Sequence, residues 1–155
     1  MSRITCRTPS TGKPIRAALA NVPATFTTIS EAPDFSVPDT SERFTDRDPV
    51  NGSRAIRPGE IFFLTPLAAK NKDTNTRWID VQIVSEDNVT IEFGRAEVPA
   101  GDTALIPIQG RSLFKRNPSG STGDRLQVRA QVAGIFDVWV SGEEKLSNEH
   151  AAVEV

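Results

Sequence analysis

The chain has little of what catalytic centres and stapled scaffolds are built from. In 155 residues there is one cysteine, Cys6, and one histidine, His150. A single cysteine excludes an intrachain disulfide and with it a disulfide-framed secreted fold. One cysteine and one histidine cannot complete a four-ligand zinc site, so no metal is expected. A Ser-His-Asp arrangement would have to use His150, which lies in an acidic C-terminal stretch where a histidine is ordinarily solvated. No catalytic residue and no cofactor is expected. Aromatic residues make up only 6% and hydrophobic residues 37%, so part of the chain adds little to a core.

Charge of one sign is also lacking. Eighteen basic residues are scattered among 20 acidic ones, for a net charge of -2, and no basic stripe offers itself to phosphates. A nucleic-acid partner is not expected. The longest apolar run, Ile61 to Leu64, is far short of the ~20 residues of a membrane helix, so no membrane is expected either. The N-terminus has no apolar signal-peptide core, which points to synthesis in a cytoplasm. Asn51-Gly-Ser and Asn88-Val-Thr then match the glycosylation pattern by chance.

Two weaker motifs resolve into ordinary structure. Asp46-Arg47-Asp48-Pro49-Val50-Asn51-Gly52 imitates a calcium loop, but Val50 stands where a ligand belongs and the glycine falls one place late, which leaves a turn. Asp80 and Glu92 are expected on the outer faces of adjacent strands, as solvating carboxylates in preference to a glycosidase pair.

What is there divides in three. Residues 1–58 hold seven of the 11 prolines, with apolar residues singly spaced, so they read as a Pro/Thr-rich N-terminal arm without sustained helix or strand. Either this arm is a solvated tail, or its spaced anchors Phe26, Phe35 and Phe44 insert into pockets on neighbouring chains. Residues 59–142 are punctuated by Gly59-Glu60, Gly101-Asp102 and Gly123-Asp124, each of which opens a strand. Period-two alternation places Ile79, Val81 and Ile83 on one face, then Val89, Ile91 and Phe93 after a hairpin turn. Thr103 to Gly110 reads as one strand limited by Pro107. Leu126, Val128, Ala130 and Val132 alternate most clearly, and Phe136, Val138 and Val140 follow. The polar stretch Lys70 to Thr76 reads as a loop, and 143–155 as an acidic tail. The prediction is all-β: an antiparallel β-sandwich, jelly-roll or immunoglobulin-like, of six to eight short strands behind a long arm.

Alternation sends Trp78 and Trp139 to the polar side of their strands, with Arg77, Arg125 and Arg129 close by in sequence. Three coverings remain open for these rings: the arm itself, another protein for which Trp and Arg are favoured anchors, or a sugar stacked on an exposed tryptophan face.

The run Val98-Pro-Ala-Gly-Asp-Thr-Ala-Leu-Ile-Pro-Ile-Gln-Gly110, then Gly123-Asp-Arg-Leu-Gln-Val-Arg-Ala-Gln-Val132 and Phe136-Asp-Val-Trp-Val-Ser-Gly142, resembles small β-sandwich virion proteins of tailed bacteriophages. The resemblance covers about Ile61 to Gly142 and leaves out the arm. It implies a non-enzymatic component of the neck, tail, baseplate or head surface, located in the virion. Its partners would be other virion proteins and copies of itself, with a host-surface glycan as the alternative ligand.

Overall fold

A computed structural model describes residues 13–33, 59–115 and 122–146. Among these residues there are ten strands and no helix: β1 (Lys13–Leu19), β2 (Thr27–Glu31), β3 (Gly59–Phe63), β4 (Leu67–Asn71), β5 (Arg77–Val84), β6 (Thr90–Val98), β7 (Thr103–Ile106), β8 (Ser112–Lys115), β9 (Arg125–Ala130) and β10 (Phe136–Leu146). All pairings are antiparallel.

The strands form two sheets. In the smaller, the order is β2-β9-β5-β6. The larger is organised around β10. Val138 lies opposite both Leu19 and Ala69, and Gly142 opposite both Ile15 and Phe63. A strand has only two edges, so β1 takes one edge and β3 and β4 share the other, end to end. The break between them falls at Leu64-Thr65-Pro66, where the amides of Leu64 and Thr65 both donate to the Ser141 carbonyl at 2.9 and 3.3 Å. Pro66 has no amide to give, and the ladder resumes two residues out of step. β7 and β8 repeat the pattern alongside, interrupted from Pro107 to Arg111. There the Phe63 carbonyl accepts from Gly110 and the Phe63 amide donates to Arg111.

Residues of both sheets form one buried cluster, with Phe63, Leu67, Leu113, Phe136, Val138 and Val140 from the larger and Ile79, Val81, Ile83, Leu126 and Val128 from the smaller. Each fully buried Leu or Phe contributes about 1.5–3 kcal/mol. Polar side chains tie the two ends of the body. At one end Asn71 is fully buried: its amide donates to the carbonyls of Val98 (2.8 Å), Asn75 (2.9 Å) and Pro99 (3.3 Å), and its oxygen accepts from the Asp73 amide. At the other, Asp124 accepts from the amides of Glu86 and Phe114.

The structure agrees with an all-β antiparallel chain and corrects the reading in several places. Residues 13–33, assigned to the arm on their prolines, supply β1 and β2. Pro14 is tolerated because β1 is an edge strand, pairing with β10 alone. The chain from Gly59 holds eight strands, and the arm stretch adds two more. β10 runs on through Leu146, past the expected end of the body at 142. Leu67-Ala-Ala-Lys-Asn71, poor in strand formers, is a strand because it lies between β10 and β7. The expected strand 103–110 stops at Ile106. Val89, Ile91 and Phe93, expected inward, are exposed: a register shift opposite Ile83 and Val84 turns Glu92, Gly94 and Ala96 to the side of Ile79, Val81 and Ile83. Glu92 and Asp80 therefore lie on opposite faces of their sheet, which removes the paired-carboxylate arrangement.

Candidate interaction surface

The outer face of the smaller sheet is laid out in rows by register. In the central row, Asp80 on β5 stands opposite Arg95 on β6 and Arg129 on β9. One row toward the hairpin, Gln82 donates to Gln127 at 2.8 Å and Gln127 to the Thr28 hydroxyl at 3.0 Å, crossing three strands. In the other direction Trp78 stands opposite Glu97, and its backbone exchanges two hydrogen bonds with Gln131.

Asp80 is the pivot. Its side chain is wholly buried, yet two guanidiniums cap it from solvent. Arg95 donates through Nε to Oδ1 (2.7 Å) and through Nη2 to Oδ2 (3.1 Å); Arg129 donates through Nε and Nη2 to Oδ2 (3.1 and 2.5 Å). Burial pushes the Asp80 pKa up, but the hydrogen bonds from Arg95 and Arg129 and the charges of both outweigh it. The carboxyl is held below its ordinary value. A carboxylate so held is ionised near neutral pH and is shielded from solvent by the two guanidiniums.

The guanidiniums in turn carry the aromatic rings. The Arg95 Cζ sits 3.7 Å from the centroid of Trp78, and Arg129 lies 4.3 Å from Phe26 and 5.9 Å from Trp78. Phe26, Arg129, Asp80, Arg95 and Trp78 thus form one connected cluster. Asp80 ties both guanidiniums by hydrogen bonds, and the Arg95 side chain remains 46% exposed. Held by these bonds to Asp80, the guanidiniums present cation and aromatic ring together at a reduced ordering cost.

Of the residues expected at an interface, three meet here: Phe26, Trp78 and Arg129. Phe26 is half-buried against Arg129 of its own chain, so it is not a free anchor. Arg125 lies at the far end of β9, tied to Thr122 (2.7 Å) and Asn88 (2.7 Å) at the hairpin turn. Arg77 pairs with Asp73 at 2.6 Å. Trp139 belongs to the other sheet, in a row with Ala18, Ala68 and the exposed Leu105, so the two tryptophans share no face. Phe35, Phe44, Cys6 and His150 lie outside the described residues.

Sequence reading missed the clamp on Asp80 and the part of Arg95 in it. A partial signal was available: from Gly94 to Val98 the small and apolar residues fall at even positions, the parity that β6 turns to the side of Ile79, Val81 and Ile83, which leaves Arg95 on the face of Asp80. Among the described residues no three Cys, His, Asp or Glu side chains are grouped as metal ligands, and no helix is long and apolar enough to cross a membrane. No protein-family model matches the chain, and no curated protein matches it.

Proposed function

We propose that the protein is a non-enzymatic structural component of a tailed-phage particle, a β body that docks on other virion proteins while stretches beside it reach neighbouring copies. One observation carries this reading: all four stretches outside the described residues join the body at the same end. Lys13 lies opposite Glu144, two positions from Leu146. Gly59 lies opposite both Leu146 and Lys115. A Cβ on Gly59 would overlap the Pro33 carbonyl oxygen, and one on Gly123 would come within 2.9 Å of the Lys115 Cβ. Residues 1–12, 34–58, 116–121 and 147–155 therefore leave and return within one small area. The opposite end is closed by short turns and Asn71. Such polarity serves a subunit that is fixed by its body and reaches to one side.

The same connectivity supports a finer reading of the fold. With β3/β4 and β7/β8 counted as two interrupted strands, the sheets run β1-β10-β3/β4-β7/β8 and β2-β9-β5-β6. Eight strands in that order, with chain-adjacent strands in opposite sheets except for the β5-β6 hairpin, favour a jelly-roll sandwich, an architecture used in viral coats and in lectins. Architecture does not choose between these two uses. The split of Trp78 and Trp139 between the sheets speaks against a glycan platform built on both rings and so lends support to the virion use.

Limited trypsinolysis tests the reading. Arg43, Arg47 and Arg54 offer cleavage sites in 34–58, while Arg57 is shielded from trypsin by Pro58. The three sites are cut in the isolated protein and spared in the particle if that stretch bridges copies. Equal cutting in both removes the bridging role.

A further inference from the structure

We propose that the open cleft between β6 and β7 receives Phe35 and Val37 of a neighbouring copy, added as a short strand along β6. The proposal rests on the assembly reading only for the expectation that copies meet. The cleft has a volume of about 300 Å³ and is lined by Val81, Ile83, Gly94, Ala96, Ile106 and Ile108. Two large apolar side chains stand exposed at its rim, Phe93 at 54% and Leu105 at 66%. β6 and β7 are edge strands of their two sheets among the described residues, and nine residues of β6 present an outer edge with no strand beside it. An open edge of that length beside an apolar cleft invites an added strand, although Glu92, Arg95 and Glu97 place charges along it.

Gly94 points the same way. It sits in the interior of β6, where glycine weakens a strand, and nothing in the body calls for it. A Cβ there would meet no atom within 4 Å, and Gly94 is not among the glycines with positive φ. A group that enters the cleft and lies against the β6 backbone does call for it.

The occupant follows from the chain just past the described residues. Asp34-Phe35-Ser36-Val37-Pro38 places two apolar residues at i and i+2 and then stops with proline, the pattern of one strand face presented to a groove. Glu92 also lines the cleft, and Arg95 and Arg111 at or beside its mouth are paired with Asp80 and Glu92, so the apolar pattern and not the charge of the segment selects the occupant. Its own chain cannot deliver Phe35 there. A strand outside β6 would be the fourth from β2, roughly 19 Å away at the ~4.8 Å strand spacing, whereas Phe35 lies two residues beyond Pro33, about 7 Å of chain. The segment must come from another copy. The end of one body then meets the side of the next, a head-to-tail contact that closes into a ring or runs on as a filament.

Two variants of the full chain test this. Phe35→Ser removes the anchor, and Gly94→Leu fills the cleft in space the body leaves open, so its unfolding midpoint should stay within a few degrees of the parent. Sedimentation velocity over a concentration series is expected to show self-association of the parent, weakened about tenfold or more in each variant. Mixed together, the two variants are expected to regain one pairing, because one keeps the cleft and the other keeps Phe35. Variants that associate like the parent would overturn the cleft assignment while leaving copies meeting elsewhere. A parent that stays monomeric throughout, with the amides of 90–98 exchanging freely, also overturns it. So does a monomer whose 90–98 amides are protected until Phe44→Ser is introduced, since the occupant is then the chain's own. Failure of the assembly reading itself is seen separately, in the particle proteolysis.

Discussion

Replacing Asp80 with asparagine is the sharpest perturbation of the outer face. The shape is kept, but the charge that holds Arg95 and Arg129 is lost. Four hydrogen bonds from two guanidiniums end on the two carboxylate oxygens. Hydrogen bonds to charged groups contribute about 1.5–3 kcal/mol apiece, and loss of a partner from a buried pair costs about 3–5 kcal/mol. Here both arginines keep access to water, with side chains 46% and 34% exposed, so part of their charge is resolvated when the partner goes. An expected loss of about 3 kcal/mol results, or roughly 10–20 °C in the midpoint for a body of this size. Urea unfolding followed by tryptophan fluorescence measures it, and Trp78 against Arg95 serves as a reporter in place. The pH dependence gives a second reading. Because the folded-state pKa of Asp80 lies below the unfolded one, its contribution is full above the unfolded value of ~3.9 and is lost as pH falls through the folded value. The parent should therefore lose stability on acidification below about pH 4 more steeply than Asp80→Asn does. A loss under about 0.5 kcal/mol at neutral pH, the range of ordinary surface substitutions, with the same acid slope in both proteins, would refute the clamp.

Three further outcomes follow from the geometry. Gly59→Ala and Gly94→Ala are the same chemical change with opposite expectations: the first drives a methyl into the Pro33 carbonyl and should cost more than about 2 kcal/mol, while the second enters open space and should be neutral or stabilising by up to about 1 kcal/mol in urea unfolding. Asn71→Ala strips three carbonyls and one amide of their partner at a buried site and should cost about 3 kcal/mol, with faster hydrogen exchange in residues 98–102 as its local sign. Arg129→Lys keeps the charge but loses both the two-point grip on Asp80 and the flat contact with Phe26, so midpoint and tryptophan emission should both shift; unchanged emission would detach Trp78 from the cluster.

How much of this was legible depends on whether the information is local. Alternation along Arg125–Ala130 and Phe136–Val140 showed the strands and their inward faces, because each has a fully buried side chain at every second position. β1 was not legible: its apolar residues Ile15, Ala17 and Leu19 are few and small, and its strand state comes from lying along β10 for seven residues. β4 was hidden for a related reason, since Ala68 and Ala69 have weak strand preference and are buried by neighbours on both sides. The face of Phe93 was misassigned because one register fault reverses every side chain beyond it. Asp80 was read as solvating since period two sends it outward. Only the pairing of three strands brings two arginines over it. The candidate surface was legible as residue types, Phe26, Trp78 and Arg129, but not as a site.

The central claim is that this chain is a structural part of an assembled particle. Purified particles with the chain labelled and imaged, alongside its copy number by quantitative mass spectrometry, test that most directly. The account predicts a fixed copy number at symmetry-related positions, with the end that carries Pro33, Gly59, Lys115 and Leu146 turned toward adjacent copies. A chain abundant in the producing cells and absent from purified particles would contradict it.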